Sequence, residues 1–362
     1  MKLLHTASHS GGTVFMRIQY FFSPLLLALM TLFALTAHAV NITGAGASLP
    51  YPVYAKWAAE YHQESTKQVN YQSIGSGGGQ QQIIVGTVAF GATDDPMTGQ
   101  ELQKEQLLQF PAVIGGIVPV VNLPGIKPGQ LRLTGPLLAD IYLGKITRWD
   151  DPAIQSANPD LSLPAREIVV VHRSDGSGTT FNWTNYLAKV SPEWDSQVGV
   201  GKAVKWPIGQ GGKGNEGVAA YVRQLNYSIG YLEYAYAVQN ELSWTYLKNK
   251  AGRFVAPNEH SFTAATLQAD WAGTPGFGVV LTDVAGADSW PITAASFILV
   301  KTTQKHPQRG KAVLSFFDWV FHHGQQTALD LHYVPLPEPL VDAIQSAWKN
   351  KLHTSTGATL WP

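Results

Sequence analysis

Three glycine- and serine-rich stretches of the chain have the composition of anion-binding loops. They cover residues 44–48, 75–79 and 176–179, and each precedes a stretch with helical periodicity. Each therefore places unpaired backbone N–H groups at the positive end of a helix, where glycine lets a ligand approach and serine or threonine adds a hydroxyl donor. A single run of this kind usually forms only a turn and a cap, but three favour a shared site.

Charged residues accompany these loops. Arg173 offers a planar fork of donors that suits two oxygens of a tetrahedral oxyanion, and Asp175 can pair with the guanidinium and orient it. Asp94 ends an apolar run and should face the same cleft, although its simpler interpretation is a turn before Pro96. Because an ionised carboxylate only accepts hydrogen bonds, it would favour a protonated oxyanion such as phosphate over sulfate. An unpaired buried carboxylate costs about 1 to 3 kcal/mol, which predicts tenfold to hundredfold discrimination.

The composition is that of a globular exported protein. The 362 residues are 45% hydrophobic and 14% charged, and the length suits about two domains. No cysteine is present, so no disulfide can form. Residues 1–39 resemble a cleavable signal peptide, with an apolar run at 21–35 that is too short for a membrane span, and Met16 offers a second start. We therefore expect a periplasmic protein whose mature chain does not insert into the membrane.

The charge balance argues against nucleic-acid binding. Removing residues 1–39 takes away Lys2 and Arg17, so 25 minus 2 leaves 23 basic residues against 25 acidic ones. The mature chain then has a net charge of about −2, which gives no broad basic surface for a phosphate backbone.

Short apolar runs alternate with helical patterns, which predicts an α/β protein with parallel strands and crossover helices. The predicted strands cover residues 69–74, 88–93, 112–122, 167–172, 228–234 and 297–301. The predicted helices cover residues 52–63, 80–88, 101–109, 136–143, 179–189, 215–225, 310–323 and 338–349. Two seams between lobes are predicted near residues 123–125 and 290–291. The glycine-rich run 209–214 matches G-x-G-x-x-G by count but lacks the dinucleotide-binding context, so we interpret it as a loop before a helix.

Several longer segments carry a family resemblance. They are TGAGASLPYPVYAKW, YQSIGSGGGQQQI, FGATDDP, DIYLGKITRWDDPAI, VVVHRSDGSGTTF, WPIGQGGKGNEGVAA, IGYLEYAYA and WPIT. In this order, over essentially the whole mature chain, the sequence resembles the periplasmic phosphate-binding protein family of the bacterial phosphate ABC transporter.

The resemblance implies a two-lobed type II periplasmic binding protein fold, each lobe a mostly parallel sheet flanked by helices, with a two-crossing hinge. Residues 40–115 and 291–362 would form lobe I, and residues 116–290 would form lobe II. It also implies high-affinity binding of inorganic phosphate between the lobes, with Asp94 accepting the phosphate proton. The implied ligand-binding residues are Ser48, Leu49, Ser76, Asp94, Arg173, Asp175, Ser177, Gly178 and Thr179.

The resemblance further implies a monomeric, non-enzymatic receptor that needs no cofactor or metal and delivers phosphate to the membrane permease subunits. The chain has Ser48, Leu49, Thr93 and His172 where a well-known member of the family has Thr, Phe, Ser and Arg. His172 removes a permanent charge near the site, and we expect this strand-end side chain to face away. Two alternatives stay open, namely a receptor for another oxyanion and an exported phosphatase.

Overall fold

The computed structural model describes residues 41–362, and the predicted signal peptide lies outside the described residues. The strands are β1 (Ile42–Gly46), β2 (Val69–Ser73), β3 (Phe90–Thr93), β4 (Leu107–Asn122), β5 (Arg132–Leu133), β6 (Val169–Arg173), β7 (Gln210–Gly212), β8 (Ser228–Glu233), β9 (Ser243–Trp244), β10 (Tyr246–Lys248), β11 (Phe254–Val255), β12 (Thr293–Lys301), β13 (Thr303–Gln304) and β14 (His353–Thr354).

Helices connect most of these strands, as the alternating sequence pattern predicted. They are α1 (Tyr51–Ser65), α2 (Ser76–Val85), α3 (Gly99–Glu105), α4 (Gly135–Tyr142), α5 (Pro152–Ala157), α6 (Gly178–Val190), α7 (Pro192–Gln197), α8 (Gly214–Gln224), α9 (Tyr234–Gln239), α10 (Glu259–Ala264), α11 (Pro307–His323), α12 (Gln325–Asp330) and α13 (Glu338–Lys351). The α/β class is confirmed. Within the described residues, no helix has the length and hydrophobicity needed to cross a membrane.

A nine-stranded sheet forms the framework of the molecule. Its order is β2-β1-β3-β12-β4-β8-β6-β7, and β9 also pairs with β4. The pairs β1–β2, β1–β3, β6–β8 and β6–β7 are parallel, whereas β12 and β4 run antiparallel to their neighbours on this path. Backbone hydrogen bonds from the Ala47 N–H to the Ala92 carbonyl and from the Gly77 N–H to the Gly176 carbonyl bring the segments that follow β1, β2 and β6 together with the end of β3.

Strand β4 links the two sides of the sheet. It is buried along its length except at Asn122. Its pairing with β12 ends at Gly116, opposite Thr293, and its pairing with β8 begins at Ile117, opposite Glu233. The partner therefore changes between Gly116 and Ile117. The seam predicted near residues 123–125 lies beyond the end of β4 and does not coincide with this change.

Two element bounds differ from the sequence-based prediction in ways that matter for the site. The helix predicted at 101–109 ends at Glu105, because a capping box from Thr98 and Glu101 starts it early and Leu107 already pairs with β12. Helix α2 begins at Ser76, four residues before its predicted start at 80. Its close packing depends on Gly79, where a Cβ atom would lie 2.5 Å from Gly46 Cα. Ser76 is therefore the first residue of a helix that presses against β1.

Aromatic side chains fill the core beneath the first three strands. Tyr54 of α1 stacks on Trp57 and makes edge contacts with Tyr71 and Phe317. Phe90 of β3 also contacts Phe317, at a ring-centroid distance of 5.3 Å. This packing fixes α1 and α11 against the sheet, and with them the loop that follows β1.

Candidate anion-binding site

All nine residues predicted to bind the ligand lie together in the interior. They come from the last residue of β6, from the segments that follow β1, β3 and β6, and from the first turns of α2 and α6. Eight of them are buried, and Asp175 is partly exposed. Two cavities, of about 460 Å³ and about 150 Å³, adjoin this cluster, and they are lined in part by Asp95 and by Asp175, respectively.

Arg173 is the buried cation of the cluster. Its Nε donates to Asp175 Oδ1 at 2.8 Å, its Nη2 donates to Asp175 Oδ2 at 2.5 Å, and its Nη1 donates to Thr179 Oγ1 at 3.3 Å. Asp175 also accepts a hydrogen bond from the Gly214 N–H. Partial burial alone would raise the pKa of Asp175, but the hydrogen bonds from Arg173 and Gly214 hold it below its usual value. Asp175 therefore stays ionised and fixes the guanidinium plane.

Ser48 and Thr179 are joined by a residue that the sequence-based site did not include. Asn215, the second residue of α8, donates from its backbone N and its Nδ2 to Ser48 Oγ at 3.1 and 2.8 Å. The same Nδ2 lies 3.3 Å from Thr179 Oγ1, and Asn215 Oδ1 accepts from the Glu233 N–H. Both ends of the amide are therefore held, and the side chain connects the loop after β1 with the start of α6.

Ser76 connects Asp94 with the start of α6. Its Oγ accepts hydrogen bonds from the Asp94 N–H at 3.1 Å and from the Gly178 N–H at 3.0 Å. The approach is close because Gly178 has no side chain: a Cβ atom there would lie 2.6 Å from Asp94 Cβ and from Ser76 Oγ. Asn182, one turn into α6, donates to the carbonyls of Asp94 and Gly178 and fixes this contact further.

The remaining predicted residues occupy the helix starts. Ser177 caps α6, since its Oγ accepts from the Thr180 N–H at 3.0 Å. Leu49 is buried, and its carbonyl accepts from the Tyr333 hydroxyl at 2.7 Å, while the Ser48 carbonyl accepts from the Tyr236 hydroxyl at 2.8 Å. Two tyrosines thus hold the loop after β1 in place.

Asp94 is a fully buried carboxylic acid. Burial raises its pKa to about 7, against the smaller opposing effects of the Ser296 hydroxyl and the Arg173 charge. Its Oδ2 receives the Ser76 hydroxyl at 3.5 Å, whereas its Oδ1 has no hydrogen-bond partner within the described residues. A carboxyl group with this pKa changes charge near neutral pH, and its free oxygen can accept a proton from a ligand.

The sequence contains only weak signals for Asn215 and Asn182, which the predicted ligand-binding set does not include. Asn215 follows the glycine-rich run at 209–214, which the sequence pattern predicts to be a loop before a helix. The first part of this run forms strand β7, which is parallel to β6, and α8 begins at Gly214. A fourth small-residue run before a helix was therefore the available sequence signal. Asn182 lies inside a helix, and only its spacing of four residues from Gly178 relates it to the site.

His172 is a residue of β6 whose side chain packs against Trp206. Its ring stacks on Trp206 with centroids 4.7 Å apart, and its Nδ1 lies 2.9 Å from the Arg173 carbonyl. Burial lowers its pKa, so the ring is neutral at pH 7. These contacts agree with the expectation that His172 points away from the cluster.

Lys202 lies at the rim of the cluster. Its Nζ donates to Gln80 Oε1 at 2.5 Å and pairs with Asp95 Oδ2 at 3.3 Å, and its carbonyl accepts from the Ser177 N–H. Its side chain is 41% exposed, so the ion pair is screened by solvent. In residues 41–362 no group of three or more His, Asp and Glu side chains is arranged to hold a metal ion.

Comparison with known proteins identifies the family. A family model described as a PBP superfamily domain matches residues 34–323. A protein of Pasteurella multocida named phosphate-binding protein PstS is 60% identical over 337 residues, covering 93% of this chain and 98% of its own length. A PstS protein of Haemophilus influenzae is 62% identical over 316 residues, covering 87% of this chain and 95% of its own.

Solved structures support the fold. The crystal structure of a phosphate-binding protein from Stenotrophomonas maltophilia superposes with a TM-score of 0.63 at 21% identity, covering 89% of this chain and 96% of that one. This confirms the expected type II periplasmic binding protein fold. Taken with the two relatives, it shows that the chain belongs to the PBP superfamily and, within it, to the family of phosphate-binding proteins that these PstS relatives represent.

Proposed function

We propose that this protein binds inorganic phosphate with high affinity in the periplasm and delivers it to the permease subunits of a phosphate ABC transporter. The names of its relatives support phosphate as the ligand. The buried cluster around Arg173 and Asp94 supports the place of binding. The nine predicted residues act as its ligand-binding set, and Asn215 holds two of them in position.

The hydrogen bonds that the buried hydroxyl groups accept are the main support for this proposal. Ser48 Oγ and Thr179 Oγ1 each accept two hydrogen bonds from N–H donors, and Ser177 Oγ accepts one. A hydroxyl oxygen engaged in this way keeps its hydrogen to donate. Arg173 directs three of its five N–H groups at Asp175 and Thr179, which leaves two for another acceptor. The cluster thus offers several donors to one anion.

Asp94 gives the cluster its selectivity. An anion that cannot offer a proton should bind less tightly, because its charge repels the carboxylate and a buried oxygen of Asp94 stays without a hydrogen bond. Phosphate carries a proton at neutral pH and sulfate does not. Asp94 therefore favours phosphate by about tenfold to hundredfold.

Residues 40–115 and 291–362 form one lobe and residues 116–290 form the other, and phosphate binds between them. The change of β4 partners after Gly116 supports the first boundary. The hydrogen bonds from Asn215 to Ser48 and from Gly178 to Ser76 would join the lobes in the closed state. A ligand that contacts both lobes stabilises this state by its differential affinity, and the permease can then distinguish loaded from empty receptor. No chemical step is required of the protein.

Calorimetric titration of the mature chain with phosphate, sulfate and a phosphate monoester tests this function. We expect tight binding of phosphate, much weaker binding of sulfate, and no steady release of phosphate from the ester. Asp94→Asn should weaken phosphate binding less than it reduces the preference for phosphate over sulfate. Equal affinities for both anions would refute the role of Asp94, and steady ester turnover would favour a phosphatase.

A further inference from the structure

Glu233 is a buried carboxyl group outside the proposed ligand-binding set. It is the last residue of β8 and caps α9, where its Oε2 accepts a hydrogen bond from the Ala235 N–H at 2.7 Å. Its side chain is fully buried, and its Oε1 has no hydrogen-bond partner within the described residues. Burying an ionised carboxylate is costly, and burial raises the pKa of Glu233 well above its usual value.

The contacts of Tyr333 require a hydrogen from Glu233. The Tyr333 hydroxyl oxygen lies 2.7 Å from the Leu49 carbonyl oxygen and 3.0 Å from Glu233 Oε2, and all three residues are buried. A tyrosine hydroxyl has one hydrogen, and a carbonyl oxygen only accepts. Since Tyr333 donates in the shorter contact, to Leu49, its contact with Glu233 is a hydrogen bond when the carboxyl group is protonated and donates.

Gly115 of β4 marks the place where these side chains meet. A Cβ atom there would lie 3.2 Å from Glu233 Oε1 and 3.4 Å from both the Leu49 and the Tyr333 side chains. The segment after α12 reaches this place through a bridge to β4, and β8 reaches it by pairing with the same strand. The missing side chain at Gly115 therefore lets three distant segments of the chain pack together.

Two tyrosines fix the direction of the backbone on both sides of Leu49. The Ser48 carbonyl accepts from the Tyr236 hydroxyl at 2.8 Å. The Leu49 carbonyl accepts from Tyr333. In a planar trans peptide unit the C=O and the following N–H point in opposite directions, so the bond from Tyr236 also sets the direction of the Leu49 N–H. Because the leucine side chain is apolar, this N–H is the group of Leu49 that can donate to an anion.

Glu233 is connected to both tyrosines and to the loop itself. Its Oε2 contacts the Tyr333 hydroxyl, and as the cap of α9 it holds the helix that carries Tyr236. Its backbone N–H donates to Asn215 Oδ1, and Asn215 Nδ2 donates to Ser48 Oγ. Three routes therefore lead from this one residue to the loop after β1.

We propose that Glu233 is a neutral carboxylic acid that donates to Tyr333 and thereby positions the Leu49 N–H for phosphate, which makes it a positioning residue for the ligand. The inference rests on the proposed phosphate binding, because Leu49 belongs to the proposed ligand-binding set. In residues 41–362 the titratable groups that face this carboxyl group are three tyrosines. They are Tyr234, Tyr236 and Tyr333, and burial raises the pKa of each of them, so they stay uncharged at pH 6.

A ¹³C spectrum of protein labelled only in its glutamate carboxyl groups tests the protonation state without interference from Asp94. At pH 6 a glutamate with the usual pKa of about 4.3 is ionised. One resonance, absent from the spectrum of Glu233→Gln, should nevertheless have the chemical shift of a protonated acid. A Glu233 resonance at the ionised position would refute the neutral acid.

Matched variants test the positioning of the loop by calorimetric titration with phosphate. Tyr333→Phe removes the hydroxyl that connects Glu233 with Leu49 and should lower phosphate affinity about tenfold. Glu233→Leu removes the same connection together with the cap and should lower it at least as much. Glu233→Gln keeps the shape and supplies an N–H donor without a charge, so it should retain most of the affinity. Tyr142→Phe is the control, because the buried Tyr142 hydroxyl also donates to a backbone carbonyl, that of Val171, and it should leave affinity unchanged.

The Leu49 amide resonance separates positioning from a general loss of stability. In unliganded protein labelled with ¹⁵N-leucine, it should shift in Tyr333→Phe and Glu233→Leu and stay in place in Glu233→Gln and Tyr142→Phe. Unchanged phosphate affinity or an unchanged Leu49 resonance in Tyr333→Phe would refute the positioning role. If the unsubstituted protein does not bind phosphate at all, the proposed function fails, and the two spectra still decide whether Glu233 is neutral and whether it positions Leu49.

Discussion

Two Arg-x-Asp segments of this chain form the same forked ion pair in different surroundings. Arg173 contacts Asp175 at 2.8 and 2.5 Å, and Arg148 contacts Asp150 at 2.9 and 3.3 Å. The side chains of the first pair are 1% and 13% exposed, and those of the second are 49% and 38% exposed. The spacing sets the local geometry, but burial and the neighbouring donors decide whether the cation can serve a ligand. Three predictions test this contrast and a further one concerns the neighbouring Asp94, from the largest expected effect to the smallest.

Arg173→Lys should lower phosphate affinity by about 100-fold or more, because a lysine cannot hold Asp175 with a fork and still direct donors at an anion. Arg148→Lys should leave affinity unchanged, since the side chains of that pair are exposed and lie between α4 and α5. Calorimetry at pH 7 compares the two. Similar losses in both variants would contradict the assignment of the site to Arg173.

Asp175→Asn should lower the free energy of unfolding of the unliganded protein by about 2 kcal/mol, because it leaves the buried guanidinium without its counter-charge. Asp150→Asn should have no measurable effect. Urea denaturation at pH 7 provides the measurement. Since the pKa of Asp175 is lowered in the folded protein, its stabilising effect is present above the carboxyl pKa of the unfolded chain. It should be lost as the pH falls below about 4. A pH-independent difference would exclude the ion pair as its cause.

Asp94→Asn should act with the opposite pH dependence. The folded protein raises the pKa of Asp94 to about 7, so the folded state binds the proton more tightly and loses stability as the pH rises through this value. The stability of the variant relative to the unliganded original protein should therefore be greater at pH 8 than at pH 6, by about 1 to 2 kcal/mol. Thermal or urea unfolding at both pH values tests this, and an equal effect at both would contradict it.

The smallest expected effect is that of salt concentration on the coupling energies of the two ion pairs. A double-mutant cycle on Arg173 and Asp175 should give a coupling energy that changes by less than about 0.5 kcal/mol between 0.1 and 1 M sodium chloride, because buried charges are poorly screened. The cycle on Arg148 and Asp150 should show no measurable coupling at the higher salt concentration. Equal salt sensitivity would mean that burial does not separate the pairs.

The sequence predicted most of the fold because its signals were local. Apolar runs such as 112–122 and helical patterns such as 310–323 correspond to β4 and α11, with shifts of a few residues at their ends. The helix predicted through 109 failed because β12, nearly two hundred residues later, provides the pairing partner of Leu107. No local pattern reveals a contact of that separation.

The residues of the candidate site that lie in loops could be predicted from the sequence, whereas Asn215, which contacts those loops from the start of a helix, could not. The glycine and hydroxyl residues before α2 and α6 have a recognisable composition. Asn215 reaches Ser48 through the packing of a distant element, and it is an ordinary residue in its own segment. The burial of Asp94 and the direction of its pKa shift could likewise be obtained only from coordinates.

The uninterrupted course of β4 has a consequence for how the protein denatures. The strand carries hydrogen bonds to β12 along its first part and to β8 along its second. Unfolding of either side of the sheet would therefore leave β4 as an unpaired edge strand of the other side and expose its apolar residues to water. Loss of structure should then spread across the whole molecule in one cooperative transition, so that calorimetric and van't Hoff enthalpies agree despite its two-sided sheet.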